Sequence, residues 1–222
     1  MNPSGEENSL VALKIHLRKY AHDGEREYAV SCEIRERGLP SAQVALPLDA
    51  FDINEGIICL AYPLYGRDLA DSIKDQNRPF SPAEAREIIK KSLEFFAAFH
   101  SMGAAHTDIK PENLLYHSET REIRIIDFGN SERRFKRGTP VATREYTPPE
   151  GLIGGELSPA VDIWSLACTL FEILTGELLF DPHEAAREKY LEFSDEDDED
   201  DEDDDEDNEE EEEGRENSRS GI

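Results

Sequence analysis

The stretch from His106 to Gly129, HTDIKPENLLYHSETREIRIIDFG, constrains this chain more than any other. Two short apolar runs, Leu114–Leu115–Tyr116 and Ile123–Arg124–Ile125–Ile126, flank a turn-rich piece, and that pattern predicts a small hairpin. Asp108, Lys110 and Asn113 precede the first run, and Asp127 follows the second. A hairpin brings its outer ends together, so two acids, an amide and an amine are expected to converge. Such a set suits a polyphosphate with a divalent metal. It offers hard oxygen ligands for Mg²⁺, a cation for phosphate and a carboxylate for an incoming hydroxyl.

The formal charge of −27 over 222 residues is concentrated at one end. From Asp195 to Glu213 every residue but Asn208 is acidic, which takes 18 of the 51 Asp and Glu and leaves 33 against 24 Lys and Arg. The remainder, at −9, is mildly acidic and has enough apolar residues for a core. It lacks the basic face that direct contact with nucleic acid requires. Cys32, Cys59 and Cys168 are far apart, odd in number and set among apolar neighbours. They fit neither a metal site nor a disulfide framework and suit a reducing compartment. The N-terminus shows no basic-then-apolar leader, and no apolar run reaches the ~18 residues of a membrane span. An intracellular protein with no membrane partner is expected.

Leu10–Leu17 reads as a buried strand carrying Lys14, and a helix is expected to begin near Glu25. Val44–Ile53 reads as a broken strand, turned by Asn54–Glu55–Gly56 into a second buried strand, Ile57–Tyr62. Ser81–Pro82–Ala83–Glu84 is a helix start, with an N-cap, a proline at N1 and a glutamate that closes a capping box. Ile88, Ile89, Leu93, Phe96, Ala97 and His100 then fall on one face, expected to be the inward one. Ser158–Pro159 begins another helix, whose Val161, Ile163, Trp164, Leu166, Ala167, Leu170, Phe171, Ile173 and Leu174 make it apolar nearly all round and predict burial. Asp162 near its start is an expensive buried charge unless paired.

The His106–Gly129 block resembles the catalytic loop and the metal-binding Asp-Phe-Gly of protein kinases, and Val11–Ala12–Leu13–Lys14 resembles that family's lysine-bearing third strand. His-Thr-Asp-Ile-Lys-Pro-Glu-Asn at 106–113 looks most like the SR-protein kinases, which phosphorylate Ser in Arg/Ser-rich splicing factors. Asp127–Ser131, Thr143–Tyr146, Asp162–Cys168 and Leu179–His183 are similar to the same family, so the likeness covers roughly residues 10–185. Thr147 and Pro149 depart from it, standing where arginine and alanine are usual.

The resemblance implies ATP and Mg²⁺ as cofactors and a protein Ser or Thr as substrate, Arg/Ser-rich sequences included. Lys14 is implied to hold the α/β-phosphates and to pair with a helix glutamate. Glu27 is chosen because Tyr28, Val30, Ser31 and Ile34 after it form an inward stripe, whereas Glu33 leads into a solvated end at Arg35–Gly38. The spacing from Lys14 to Glu27 is slightly short, so Glu33 stays as the alternative. Asp108 is implied to accept or orient the substrate hydroxyl, Lys110 to neutralise the γ-phosphate, and Asn113 and Asp127 to hold Mg²⁺. By that resemblance Tyr62 would take the gatekeeper place, and the Pro63 carbonyl and the Tyr65 amide and carbonyl would meet adenine. By the same resemblance His106 would brace the loop, Gly129 would be structural, Thr143 would contact Asp108 at the substrate shelf or else satisfy a turn, Glu150 would pair with an arginine, and Asp162 would bond the catalytic-loop backbone. Thr107 replaces the arginine that reads a phosphorylated activation loop, so no switch of that kind is expected.

The implied fold is α+β and protein-kinase-like with two lobes. Residues 1–9 are expected to be a disordered N-terminus, 10–65 an incomplete small β-rich lobe with the hinge, 66–193 a truncated helical large lobe, and 194–222 a disordered acidic tail. About ten polar residues with a single Gly5 precede the lysine strand, and only a short amphipathic piece, Glu184–Phe193, follows His183. A glycine-rich phosphate lid, the late helices and the arginine partner of Glu150 are therefore expected to be missing. Two functions follow. Every catalytic side chain is present, which favours an ATP-dependent serine/threonine protein kinase. The missing parts favour a catalytically weak or inactive kinase-like binding or scaffold protein.

Overall fold

The computed structural model describes residues 10–76, 78–138 and 143–180, and the expectations for residues 1–9, for Glu184–Phe193 and for the acidic stretch 194–222 lie outside the described residues. β1 (Val11–His16) leads through one 3-10 turn to α1 (Ala21–Glu36), followed by β2 (Asp49–Asp52) and β3 (Ile58–Pro63). Then come β4 (Arg67–Asp68), α2 (Leu69–Gln76), α3 (Pro82–Ser101) and the hairpin of β5 (Leu114–His117) and β6 (Glu122–Ile125). α4 (Pro149–Leu152) and α5 (Ala160–Thr175) complete the order.

β3, the most continuously apolar strand, is central in an antiparallel sheet of order β1-β3-β2, with Lys14 opposite Leu60 and Ala12 opposite Tyr62. β4, β5 and β6 form a second sheet in that order, and Leu115 pairs with Arg124 across the predicted hairpin. The first sheet with α1 makes a small β-rich lobe, and α2, α3 and α5 make a helical body joined to it through Pro63–Gly66. A large core of Ile34, Leu69, Ile88, Phe95, Phe99, Ile109, Leu114, Ile125 and Phe128 runs beneath the site, and Ala45, Leu60 and Tyr62 form a smaller one. No helix of the described residues is long and apolar enough to cross a membrane.

Four local differences from the sequence expectations have physical causes. α1 begins at Ala21 rather than near Glu25, and it runs through Gly24, a residue that weakens helices in isolation. Here the glycine permits a close approach, because a Cβ at that position would stand 2.9 Å from the His16 ring. The broken strand at 44–53 contracts to Asp49–Asp52, since Pro47 cannot donate to a ladder. Val44 instead bridges to Ile125, and the Ala45 N–H donates to the Ile125 carbonyl at 2.9 Å.

α3 starts at the expected capping box, with the Ser81 N–H donating to Glu84 Oε2 at 2.8 Å. Its buried face is Ala85, Ile88, Ser92, Phe95, Phe96 and Phe99. Ile89, Leu93 and Ala97, expected inward, line an open groove with Leu170 and Leu174. The helix is apolar around much of its circumference, and aromatic volume decides which side turns in. Phe95 and Phe99 stack at 5.4 Å and meet the Phe128 ring at 6.0 and 5.6 Å. All-round burial of α5 is likewise not observed, since Ile163 and Leu174 are exposed while Val161, Asp162, Leu166, Thr169 and Ile173 are buried.

Candidate active site

Lys14 stands on β1 with its Nζ 2.7 Å from Glu27 Oε2 and 2.7 Å from Asp127 Oδ1. One amine thus joins α1 to the end of the β5–β6 hairpin. Burial alone would depress the Lys14 ammonium, but the facing carboxylates of Glu27 and Asp127 outweigh it and hold its pKa above the ordinary value. Burial also opposes the charged forms of both acids. His16, Lys14 and Tyr62 around Glu27, and Lys14 beside Asp127, reverse that and hold each carboxyl below its usual range. Glu33, the alternative partner, lies one helical stretch away and pairs with Arg37 and Arg133.

Asp127 is aimed at Lys14 by its neighbours. Its backbone is left-handed, with φ of 66°, and Phe128 is anchored between Phe95, Phe99 and the His106 ring, 4.9 Å away. A Cβ on Gly129 would lie 3.3 Å from Asp127 Oδ1 and 3.4 Å from Asp23 Cβ, so glycine suits this close packing. The Arg26 guanidinium donates to the Gly129 carbonyl at 3.2 Å.

The segment at His106–Thr107 hangs from Asp162, which is fully buried. Its carboxylate accepts from the His106 and Thr107 backbone N–H groups at 2.8 Å each and lies 2.8 Å from His100 Nε2, so the buried charge is paired. His106 braces the loop through Nε2, 2.8 Å from the Ile126 carbonyl. The Thr143 hydroxyl donates to Asp108 Oδ1 at 2.7 Å and accepts from Lys110 Nζ at 2.9 Å, and Lys110 Nζ lies 3.3 Å from Asp108 Oδ2. Asn113 Nδ2 donates to the Asp108 carbonyl at 2.7 Å. Glu150 is exposed and has no ion pair among the described residues. Its carbonyl accepts from the Gly155 N–H.

A cleft of about 270 Å³ opens between the lobes. Ala12, Leu13, Ala45, Leu115 and Ile126 make its apolar walls, Tyr62, Pro63, Tyr65 and Gly66 its inner edge, and Lys14, Glu27 and Asp127 its charged end. Apolar walls with a few convergent polar groups are the usual make-up of a small-molecule site. Here the gradient from apolar to ionic matches a flat heteroaromatic ring carrying a polyphosphate.

Three contacts escaped sequence reasoning. The Tyr62 hydroxyl donates to Glu27 Oε1 at 2.7 Å, His16 Nε2 stands 3.4 Å from Glu27 Oε2, and the Thr107 hydroxyl donates to the Asn130 carbonyl at 2.8 Å. Two signals were available: His16 lies two residues from Lys14 and so on the same side of the strand, and a buried tyrosine needs a polar partner.

A family model described as protein kinase domain matches residues 4–217. The dual specificity protein kinase lkh1 of Schizosaccharomyces pombe is 30% identical over 202 residues, which are 82% of this chain and 27% of that protein. The human dual specificity protein kinase CLK2 is 28% identical over 197 residues, covering 78% of this chain and 39% of its own length. Human dual specificity tyrosine-phosphorylation-regulated kinase 3 is 36% identical over 126 residues, 55% of this chain and 21% of the relative. The chain therefore spans well under half the length of these curated relatives.

Proposed function

The chain belongs to the protein kinase family, and from that premise we propose that it transfers the γ-phosphoryl group of ATP to Ser or Thr of a protein, Arg/Ser-rich sequences among its substrates. The single observation that carries this reading is the Lys14 ammonium held 2.7 Å from both Glu27 and Asp127 at the charged end of the cleft.

The donor set fits a divalent metal. Asp127 supplies carboxylate oxygens, and Asn113, whose Nδ2 is committed to Asp108, keeps its Oδ1 free of protein donors among the described residues. Mg²⁺, when bound, supplies charge neutralisation and alignment of the phosphates. Lys14, kept cationic by its two carboxylates, holds the α/β-phosphates, and the apolar walls with the Pro63–Gly66 edge take the adenine. Asp108 receives or orients the proton of the incoming hydroxyl, and Thr143 fixes the carboxylate through its own hydroxyl. Lys110 offsets the charge on the transferring group. His106 and Asp162 keep these groups in place, so catalysis is mainly positioning and charge stabilisation. Three free thiols, Cys32, Cys59 and Cys168, support a reducing, intracellular setting.

The test is radiolabelled phosphate transfer from Mg·ATP to an Arg/Ser-rich peptide, an arginine-free Ser/Thr peptide and a tyrosine peptide. Transfer to Ser and Thr is expected, strongest on the first peptide, with a loss of about 100-fold or more in Asp108→Asn. Transfer to the tyrosine peptide alone would overturn the Ser/Thr assignment.

One observation favours a second reading, a kinase-shaped binding protein of little or no turnover. Among the described residues β1 is the outer strand of its sheet, with Val11, Leu13 and Ile15 about half exposed. Such an edge can take up a partner's strand. Thermal stabilisation by Mg·ATP without transfer to any peptide would favour this reading.

A further inference from the structure

Glu27 is 2% exposed, so both of its oxygens must be satisfied inside the protein. Lys14 engages only Oε2 and shares its ammonium with Asp127. Oε1 is taken by the Tyr62 hydroxyl in a buried hydrogen bond of 2.7 Å. Tyr62 itself is buried in the small core with Ala45 and Leu60. Burial and the neighbouring Glu27 push its phenol pKa well up, so the group stays protonated and donates. His16 cannot replace it. Its Nε2 faces the other oxygen, Oε2, at 3.4 Å, and its ring is wedged against Gly24, where a Cβ would come within 2.9 Å.

We propose that Tyr62 is a positioning residue for phosphoryl transfer: its hydroxyl locks Glu27, and through Glu27 the Lys14 ammonium, into the geometry that the reaction uses. The role in transfer rests on the kinase reading of the site. Mechanically, the lock adds a bond from α1 to β3, the strand that continues into the hinge, beside those that α1 makes to Lys14 and to the Gly129 carbonyl. Removing that hydroxyl leaves the ring packed and strands one oxygen of a buried carboxylate.

Tyr62→Phe, Glu27→Gln and the double variant test this. In Tyr62→Phe, kcat is expected to fall about tenfold, the scale of one lost hydrogen bond to a charged group, with the KM for peptide unchanged. The double variant is expected to be no slower than Glu27→Gln alone, because Tyr62 acts through Glu27. Hydrogen exchange of the α1 amides, read on the nucleotide-free protein, is expected to quicken in Tyr62→Phe. Unchanged α1 exchange, or losses in kcat that simply multiply in the double variant, would overturn the proposal. A parent chain that transfers no phosphate overturns the kinase reading instead, and the exchange measurement still reports on the lock.

Discussion

Thr107 holds a left-handed backbone conformation, φ of 68°, that a β-branched side chain rarely adopts. Two bonds hold it there: its N–H donates to Asp162 and its hydroxyl to the Asn130 carbonyl, each at 2.8 Å. The hydroxyl thus joins the loop before Asp108 directly to the segment after Gly129. Thr107→Val keeps the shape and removes that bond, and urea unfolding is expected to show a loss of about 1 kcal/mol. A smaller change would mean that the paired Ala105 and Glu132 backbones, at 2.9 Å both ways, carry the link alone. At this scale the charged groups were legible and their partners only in part. Glu27 could be preferred over Glu33 because the apolar stripe around it showed which side of α1 turns inward. The bond from Tyr62 to Glu27 could not be read, because 35 positions separate the two residues and no local pattern joins a strand hydroxyl to a helix carboxylate.

Among the elements, α3 and α5 divide the work of support. Phe95 is fully buried against Phe99 and Phe128, whereas Leu93 is 41% exposed. Phe95→Ala is expected to cost about 3–5 kcal/mol in denaturant unfolding, and Leu93→Ala under about 1 kcal/mol. Equal losses would show that the groove side of α3 is packed after all. α5 also tethers the residues after Thr143, since the Tyr146 hydroxyl donates to Glu172 Oε2. Burial pushes the Glu172 carboxyl above its ordinary 4.5, against the opposing pull of the Tyr146 bond. A carboxyl raised in the folded state contributes its full stability below pH 4.5 and loses it as the pH climbs through the raised value. Melting curves from pH 4.5 upward should therefore show the parent losing stability relative to Glu172→Gln, which carries no such titration. Parallel curves would rule out this burial effect. The capping box and the hairpin were readable because each is written within a few residues. The inward face of α3 was not, because several faces were apolar enough and the Phe128 ring, distant in sequence, made the choice.

For the whole molecule, ligand binding should appear as stability. A ligand that binds only the folded chain contributes about 2.7 kcal/mol at 100 times its Kd. Mg·ATP is thus expected to raise the melting temperature, with the shift shrinking when EDTA removes the metal and in Lys14→Met. A shift indifferent to EDTA would argue against Asn113 and Asp127 as the metal's ligands. Linear order was sufficient for the inventory: a lysine strand, a capped helix, a hairpin with acids at its ends and an apolar helix bearing one aspartate. Each is set by propensities and periodicities that act over a few neighbouring positions. Folding alone decided which groups touch. The Lys14–Asp127 contact spans 113 positions, the Asp162 bonds to the loop span 55 and 56, and the Tyr62–Glu27 bond spans 35. Contacts at those separations depend on how closely sheets and helices approach, which is governed by the aromatic volume at Phe95, Phe99 and Phe128 and the missing Cβ of Gly24.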